Sequence, residues 1–145
     1  MSMRRIARET AVQFLYQERP ANGPSLDEAL ALFWPMREIA ENTRAFAEEL
    51  IRGTLSRLPQ VDEKIKAYVE NWDFERVASV DRAILRLAVY EMLFRDDIPP
   101  VVSINEAIEV AKRFSSEESG RFVNGILDRV CKDLLRPARQ AAGGQ

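Results

Sequence analysis

Three arginines at the start of the chain are the residues best suited to binding chemistry. Arg4, Arg5 and Arg8 precede the first acidic residue, Glu9, and on an α-helix they fall within an arc of about 100°. Positive charge at a helix N-terminus opposes the macrodipole and costs up to about 1 kcal/mol, so helix stability does not explain the cluster. Guanidinium groups and free helix N–H groups both bind phosphate. The cluster therefore predicts an anion site, with a solvated and frayed chain start as the alternative.

Arg121 and Phe122 form a second candidate site at the start of a later helix. Arg121 again opposes the helix dipole, and Phe122 lies one position away from the apolar stripe of its helix. An aromatic ring there suits stacking by a base of single-stranded RNA, which contributes about 1 to 3 kcal/mol per base. On the sequence alone, however, a place in the core is the preferred interpretation of Phe122. Lys112 and Arg113 rank below this pair, because a helix C-terminus favours positive charge without any ligand.

The composition argues against catalysis. The chain has no histidine and a single cysteine, Cys131, which excludes a zinc site, Ser-His and Cys-His nucleophiles and an internal disulfide. It has no Gly-rich phosphate loop, paired-carboxylate motif or dinucleotide fingerprint. We therefore predict no enzymatic activity, no metal and no cofactor. Because the net charge is -2 and the pI about 5.4, any nucleic-acid site must be a local basic patch.

Helical periodicity accounts for nearly the whole chain, so we predict an all-α fold of about seven helices. Val80 to Phe94 carries apolar residues almost all the way round and is predicted to be a buried central helix. The other helices are predicted at about 4–19, 25–34, 37–58, 61–70, 103–114 and 117–135, with a single turn at 74–77.

Local signals predict where these helices begin and end. Capping boxes are predicted at Ser25 with Glu28, Ser103 with Glu106, and Ser115 with Glu118. Pro59 is expected to end the long helix before it, and Asp73 to cap the single turn. Gly125 inside the last helix costs about 1 kcal/mol relative to Ala, so another backbone is expected close to it. The tail from Arg136 is expected to be loose.

The length of 145 residues predicts one domain with its own core. No apolar run approaches the roughly 18 to 20 residues that a membrane helix needs. The N-terminus lacks the apolar segment and cleavage site of a signal peptide. We therefore expect a cytoplasmic protein without membrane contact.

Three collinear stretches resemble the NusB family of bacterial transcription antitermination factors. They are RRIARETAVQFLYQ at 4–17, VDRAILRLAVYEMLF at 80–94, and VSINEAIEVAKRF with SGRFVNGILD between 102 and 128. The resemblance implies two packed three-helix bundles, at about 1–70 and 71–135, followed by a loose tail at 136–145. It also implies binding without catalysis: the family binds the single-stranded boxA element of ribosomal RNA leader transcripts together with the ribosomal protein NusE, within the transcription elongation complex.

The resemblance implies two sets of site residues. The residues matched to RNA contacts are Arg4, Arg5, Arg8, Ser119, Arg121, Phe122 and Asn124, and those matched to NusE contacts are Tyr16, Glu75 and Asp81. Ile6 stands where the family can hold another basic residue. Asp81 is expected to be exposed at the start of the central helix, where it would meet a basic partner. The two RNA clusters are expected to form one surface.

Two other readings compete with this one. The first is the RNA-binding module of a ribosomal RNA cytosine methyltransferase, which the short chain and the absence of a cofactor-binding βαβ unit argue against. The second is a helical interaction protein that dimerises through its first helix and never touches RNA. The acidic pI favours this second reading.

Overall fold

A computed structural model describes residues 2–17, 19–69 and 74–134, and these contain helices and connecting turns but no strand. The helices are α1 (Met3–Leu15), α2 (Leu26–Phe33), α3 (Glu41–Ser56), α4 (Leu58–Lys66), α5 (Ser79–Phe94), α6 (Pro100–Phe114) and α7 (Glu117–Lys132). Short 3₁₀ turns occupy Trp34–Met36 and Phe74–Arg76. The prediction of an all-α fold with about seven helices is confirmed.

Helix α5 is the centre of the fold, as predicted. Eleven of its 16 residues are buried, and it packs against α1, α3, α4, α6 and α7. Ile84, Leu85, Val89 and Met92 are among the largest fully buried side chains of the protein. A helix that is apolar on nearly every side can only be stable when other helices surround it.

Four of the other helices pack around α5 in two pairs. Helix α1 lies on α3, α6 lies on α7, and both pairs contact α5. The boundary that we predicted between two bundles, at about residue 70, falls at 70–73, which lie outside the described residues. The division into two bundles therefore stays a prediction.

Two of the three predicted capping boxes are wrong. The Ser25 box is present, with Glu28 N–H donating to Ser25 Oγ over 3.2 Å. Helix α6, however, begins at Pro100. Proline fits this first position because a backbone N–H there would have no hydrogen-bond partner within the helix. Ser103 is therefore inside the helix, and α7 is capped by Ser116 rather than Ser115.

Two predicted boundaries around α3 also differ. The helix begins at Glu41 rather than near Arg37, and it ends at Ser56. Pro59 does not terminate it but lies in the first turn of α4, the position in a helix that tolerates proline best. The predicted cap at Asp73 and the predicted loose tail from Arg136 fall outside the described residues.

The close approach predicted at Gly125 is wrong, and a different glycine has this role. A Cβ atom on Gly125 would meet no atom within 4 Å, so Gly125 lies on an open helix face. A Cβ atom on Gly53 of α3 would instead overlap the phenol ring of Tyr90 of α5. Gly53 thus allows α3 and α5 to pack closely.

No helix in the described ranges is long and apolar enough to cross a membrane.

Candidate nucleic-acid interface

The three arginines of α1 lie in three different environments. Ser2 caps the helix, accepting a hydrogen bond from the Arg5 N–H over 3.1 Å. Arg4 is exposed, and its guanidinium carbon lies 4.4 Å from the centroid of the Phe46 ring on α3. Such a cation–π contact contributes about 0.5 to 1 kcal/mol at an exposed site. Arg4 forms no ion pair with any described residue, so its position is restrained while its charge stays available.

Arg5 is paired with a carboxylate on α6. It donates from Nε and Nη2 to the two carboxylate oxygens of Glu106, over 3.0 and 2.6 Å. These hydrogen bonds from Arg5 lower the pKa of Glu106, so the carboxylate stays charged and the pair nearly neutral. The Arg5 side chain is 34% exposed and can offer an incoming phosphate only part of its donor edge.

Arg8 is buried, so its expected place on the RNA surface is wrong. Only 4% of the residue is exposed, and it donates to both oxygens of Glu91 on α5, over 2.9 and 2.8 Å. Ser103 donates to the same carboxylate over 2.8 Å. This network joins α1, α5 and α6 inside the protein. We therefore treat Arg8 as a structural residue.

The start of α7 presents a second exposed cation. Arg121 is exposed and forms no ion pair within the described part of the chain. Phe122 is half-buried and packs against the core, but it also lines an open pocket of about 310 Å³. Asn124, two residues after Phe122, is exposed. Phe122 therefore has both a core contact and a side that faces the pocket.

Asp81 lies in this same pocket and is buried, so its expected exposure is wrong. It is only 7% exposed, because the start of α7 packs over the start of α5, and Ser119 Oγ donates to Asp81 Oδ2 over 3.1 Å. Asp81 Oδ1 has no hydrogen-bond partner among the described residues. Burial raises the pKa of Asp81, because a charge is less stable away from water.

The pocket brings together residues that we had matched to different partners. The family resemblance assigns Asp81 to the protein partner and Ser119 and Phe122 to RNA, and all three line the pocket. Exposed Arg76 and Glu118 also line it. Ser119 itself is only 9% exposed and is held by bonds to Ser115, Ser116 and Asp81, so it positions its neighbours rather than facing solvent.

Two further residues matched to the protein partner are at the surface. Tyr16, directly after α1, is 47% exposed and does not line the pocket. Glu75 is exposed in the 3₁₀ turn before α5, and its backbone carbonyl accepts a hydrogen bond from Arg82 over 3.3 Å. The residue that follows Glu75, Arg76, lines the pocket, so Glu75 lies at the edge of the pocket.

Both arginine clusters lie on helices that pack against α6. The start of α1 is joined to α6 at Glu106, eight residues before Phe114 ends that helix, or about 12 Å along its axis. The start of α7 follows the end of α6, where Lys112 lies 4.0 Å from Glu117. At the same end of α6, Arg113 Nε lies 3.4 Å from Glu9 Oε2 of α1. The expectation that the two clusters form one surface stays a prediction.

Sequence reasoning missed the partners that decide these environments. Phe46 restrains Arg4, but its spacing in α3 only marked it as an apolar residue. Glu106 pairs with Arg5, although its spacing from Ser103 suggested a capping role. A better signal for Glu91 was available, since a carboxylate within a helix that is apolar all round needs a buried cation.

Taken together, the described residues define an all-helical protein whose candidate sites are open surfaces and a shallow pocket rather than an enclosed cleft. They contain no cluster of three His, Cys, Asp or Glu side chains able to hold a metal ion. The chain belongs to the NusB family, whose model matches residues 5–132.

Individual relatives agree with this assignment. The transcription antitermination protein NusB of Methylacidiphilum infernorum is 47% identical over 138 residues, which cover 95% of this chain and 96% of the relative. The solved structure of T. maritima NusB is 39% identical, covers 92% of this chain and 93% of its own, and has a TM-score of 0.79. A structure of the antitermination factors NusB and NusE in complex with dsRNA has a TM-score of 0.80, covering 92% and 99% of the two chains. Its 24% identity makes it evidence for the fold alone.

Proposed function

We propose that this member of a transcription antitermination family binds the boxA element of ribosomal RNA leader transcripts together with the ribosomal protein NusE. Within the elongation complex it would help RNA polymerase to read through terminators. One observation carries the RNA part of the proposal. In a chain of net charge -2, Arg4 and Arg121 are exposed near two helix starts without an ion pair in the described part, and the helix dipole disfavours Arg4 in the first turn of α1.

The proposed RNA contacts are Arg4, Arg121, Phe122 and Asn124, with the exposed edge of Arg5. Arg4 is already held over Phe46, so it loses little conformational entropy when it meets a phosphate. Phe122 offers its pocket side to a base. Lys112 and Arg113 at the end of α6 rank below these residues, because Lys112 lies 4.0 Å from Glu117 and Arg113 lies 3.4 Å from Glu9. Arg8 and Ser119 act from inside, by holding their helices in place.

The proposed NusE contact is the surface around Glu75 and Asp81, with Tyr16. A basic partner would supply a donor to Asp81 Oδ1, which now has none among the described residues. Because Asp81 and Phe122 line one pocket, protein binding at one side would change the energy of RNA binding at the other, and the reverse must hold equally. The structure of NusB, NusE and dsRNA makes NusE the partner to test first.

The test is a fluorescence-anisotropy titration of boxA RNA with this protein, in the presence and absence of NusE and at several salt concentrations. Arg4→Ala and Arg121→Ala should each lower the slope of log affinity against log salt by about 0.7, the value for one phosphate contact in single-stranded RNA. Arg44→Ala is the matched control, since Arg44 is exposed and also lies over an aromatic ring, 5.1 Å from the centroid of Trp34.

The control variant should keep the wild-type slope. If boxA RNA binds no better than a scrambled RNA with NusE present, the proposed function is wrong. If it binds specifically but both arginine variants keep the wild-type slope, the function stands and the proposed RNA surface is wrong.

A further inference from the structure

We propose that a second surface, the groove between the end of α1, helix α2 and the 3₁₀ turn Trp34–Met36, binds an acidic and aliphatic peptide segment of a partner protein. The groove measures about 430 Å³. None of its lining residues belongs to the RNA and NusE contacts proposed above. The inference therefore goes beyond the proposed function.

The floor of the groove is rigid and apolar. Phe14 and Phe33 are 4% and 6% exposed, and their rings meet edge to face with centroids 5.1 Å apart. Pro20 and Pro24 form part of the wall, and proline restricts the backbone on that side. A groove that is already formed binds a peptide without a large ordering cost.

The rim of the groove exposes more apolar surface than stability requires. Leu32 is 73% exposed and Met36 82% exposed, the two largest exposures among the large apolar side chains of the described residues. A single exposed apolar residue is ordinary, but two that flank one apolar groove indicate an interaction site. Methionine adapts its shape to different partners, which suits a peptide-binding rim.

The charge of the groove identifies its occupant. The Arg37 guanidinium stacks on Phe33, 3.6 Å from the ring centroid, and donates to Phe33 O over 3.2 Å and to Gln13 over 3.4 Å. Burial lowers the pKa of Arg37. Neither Arg37 nor Arg19, which also lines the groove, forms an ion pair with a described residue.

By contrast, the half-buried Arg86 on α5 pairs with Asp62 over 2.8 Å. A partly desolvated arginine in a protein usually has such a carboxylate. Among the described residues no carboxylate pairs with Arg37; an acidic segment would provide one, and the adjoining apolar walls would accept its aliphatic side chains. RNA fits less well, because the Phe33 ring has Arg37 on its face and Phe14 against it, which leaves little ring surface for a base.

The experiment is a selection from a library of random 12-residue peptides on the immobilised full-length chain, followed by anisotropy titrations of the enriched peptides after resynthesis. We expect enriched peptides that combine at least two Asp or Glu residues with at least two aliphatic residues. Arg37→Gln, which removes the charge and keeps a polar stem, should weaken their binding about tenfold, as expected for the loss of one charge-assisted hydrogen bond.

Two further variants complete the design. Leu32→Ser with Met36→Ser should also weaken peptide binding about tenfold or more, and these exposed positions carry no risk to the fold. Arg57→Gln is the matched control, since Arg57 is exposed after α3 and also lies over an aromatic ring, 4.7 Å from the centroid of Phe94. It should bind the peptides like the wild type.

The groove proposal is wrong if no peptide is enriched, if the enriched peptides are basic or purely apolar, or if Arg37→Gln binds them like the wild type. It is also wrong if light scattering shows a dimer that Leu32→Ser with Met36→Ser dissociates, because the groove would then be filled by a second copy of the chain. All groove variants should bind boxA RNA like the wild type, so failure here is separable from failure of the proposed function.

Discussion

The two ends of α5 each hold a buried carboxylate, and they differ in how that carboxylate is satisfied. Glu91, near the end of the helix, is 1% exposed and accepts three hydrogen bonds, two from Arg8 and one from Ser103. Asp81, near the start, accepts one from Ser119 and keeps an oxygen without a partner among the described residues. A fully satisfied network stabilises a fold, whereas an unsatisfied group destabilises it. The Glu91 end of α5 is therefore structural, and the Asp81 end is where a binding partner can add most to stability.

The largest effect should come from breaking the satisfied end. Arg8→Ala leaves Glu91 as a buried charge without its cation, and we expect a loss of about 3 to 5 kcal/mol in the free energy of unfolding. Urea denaturation followed by circular dichroism measures it. Arg4→Ala is the matched control on the same helix and should lose less than about 1 kcal/mol. Equal losses in the two variants would mean that Arg8 is not a core residue.

Phe122→Ala tests the pocket end. The expected loss is about 1 to 3 kcal/mol in boxA binding, with the salt slope unchanged, because a stacking contact carries no charge. Phe122→Leu serves as the control for packing, since it keeps an apolar side chain on the core. A leucine variant that binds RNA like the wild type would assign Phe122 to the core alone.

Asp81→Asn should stabilise the protein by about 1 kcal/mol at neutral pH, because an amide is easier to bury than a charged carboxylate. The pKa of Asp81 is raised in the folded state. The wild type is therefore penalised as the pH rises from the unfolded-state pKa through the folded-state pKa, and the variant is not. Urea denaturation across pH 3 to 8 checks this. The same substitution should weaken NusE binding; stronger NusE binding would contradict the proposed contact.

Glu106→Gln should give the smallest effect and the opposite pH dependence. The pKa of Glu106 is lowered by Arg5, so its stabilising contribution is present above the unfolded-state pKa and disappears as the pH falls through the folded-state pKa. The variant should lack this contribution at neutral pH and resemble the wild type in acid. It also frees Arg5, which should steepen the salt slope of RNA binding by about 0.7. An unchanged slope would place Arg5 outside the RNA contact.

Much of the fold followed from local pattern. The apolar residues of 80–94 predicted the central helix α5, and the spacing around Ser25 predicted a real capping box. The errors at Ser103 and Ser115 have a common origin. Each serine has a glutamate three residues later, as a capping box requires, but the course of the backbone decides which residue caps the helix. Periodicity reports which side of a helix is buried, but not where the neighbouring helix begins.

The site was less predictable because its residues depend on distant partners. The helical arc grouped Arg8 with Arg4, yet Arg8 is buried because Glu91, 83 residues away, lies opposite it. Asp81 was expected at the surface as the acidic start of a helix, and the start of α7 covers it. Arg4 and Arg121 are exposed, as expected of RNA contacts. A charge at a helix start is exposed only if no other element packs there, and the sequence of a single helix does not show which elements pack on it.

The separation of Arg8 and Glu91 also sets an order of events during synthesis. At 5 to 20 residues per second, the 83 positions between them take roughly 4 to 17 s to translate. During that interval α1 has been made, but Arg8 cannot yet form its ion pair with Glu91. The contact between α1 and α5 therefore cannot form until most of α5 has emerged from the ribosome, whereas α3, on which α1 also packs, is made earlier.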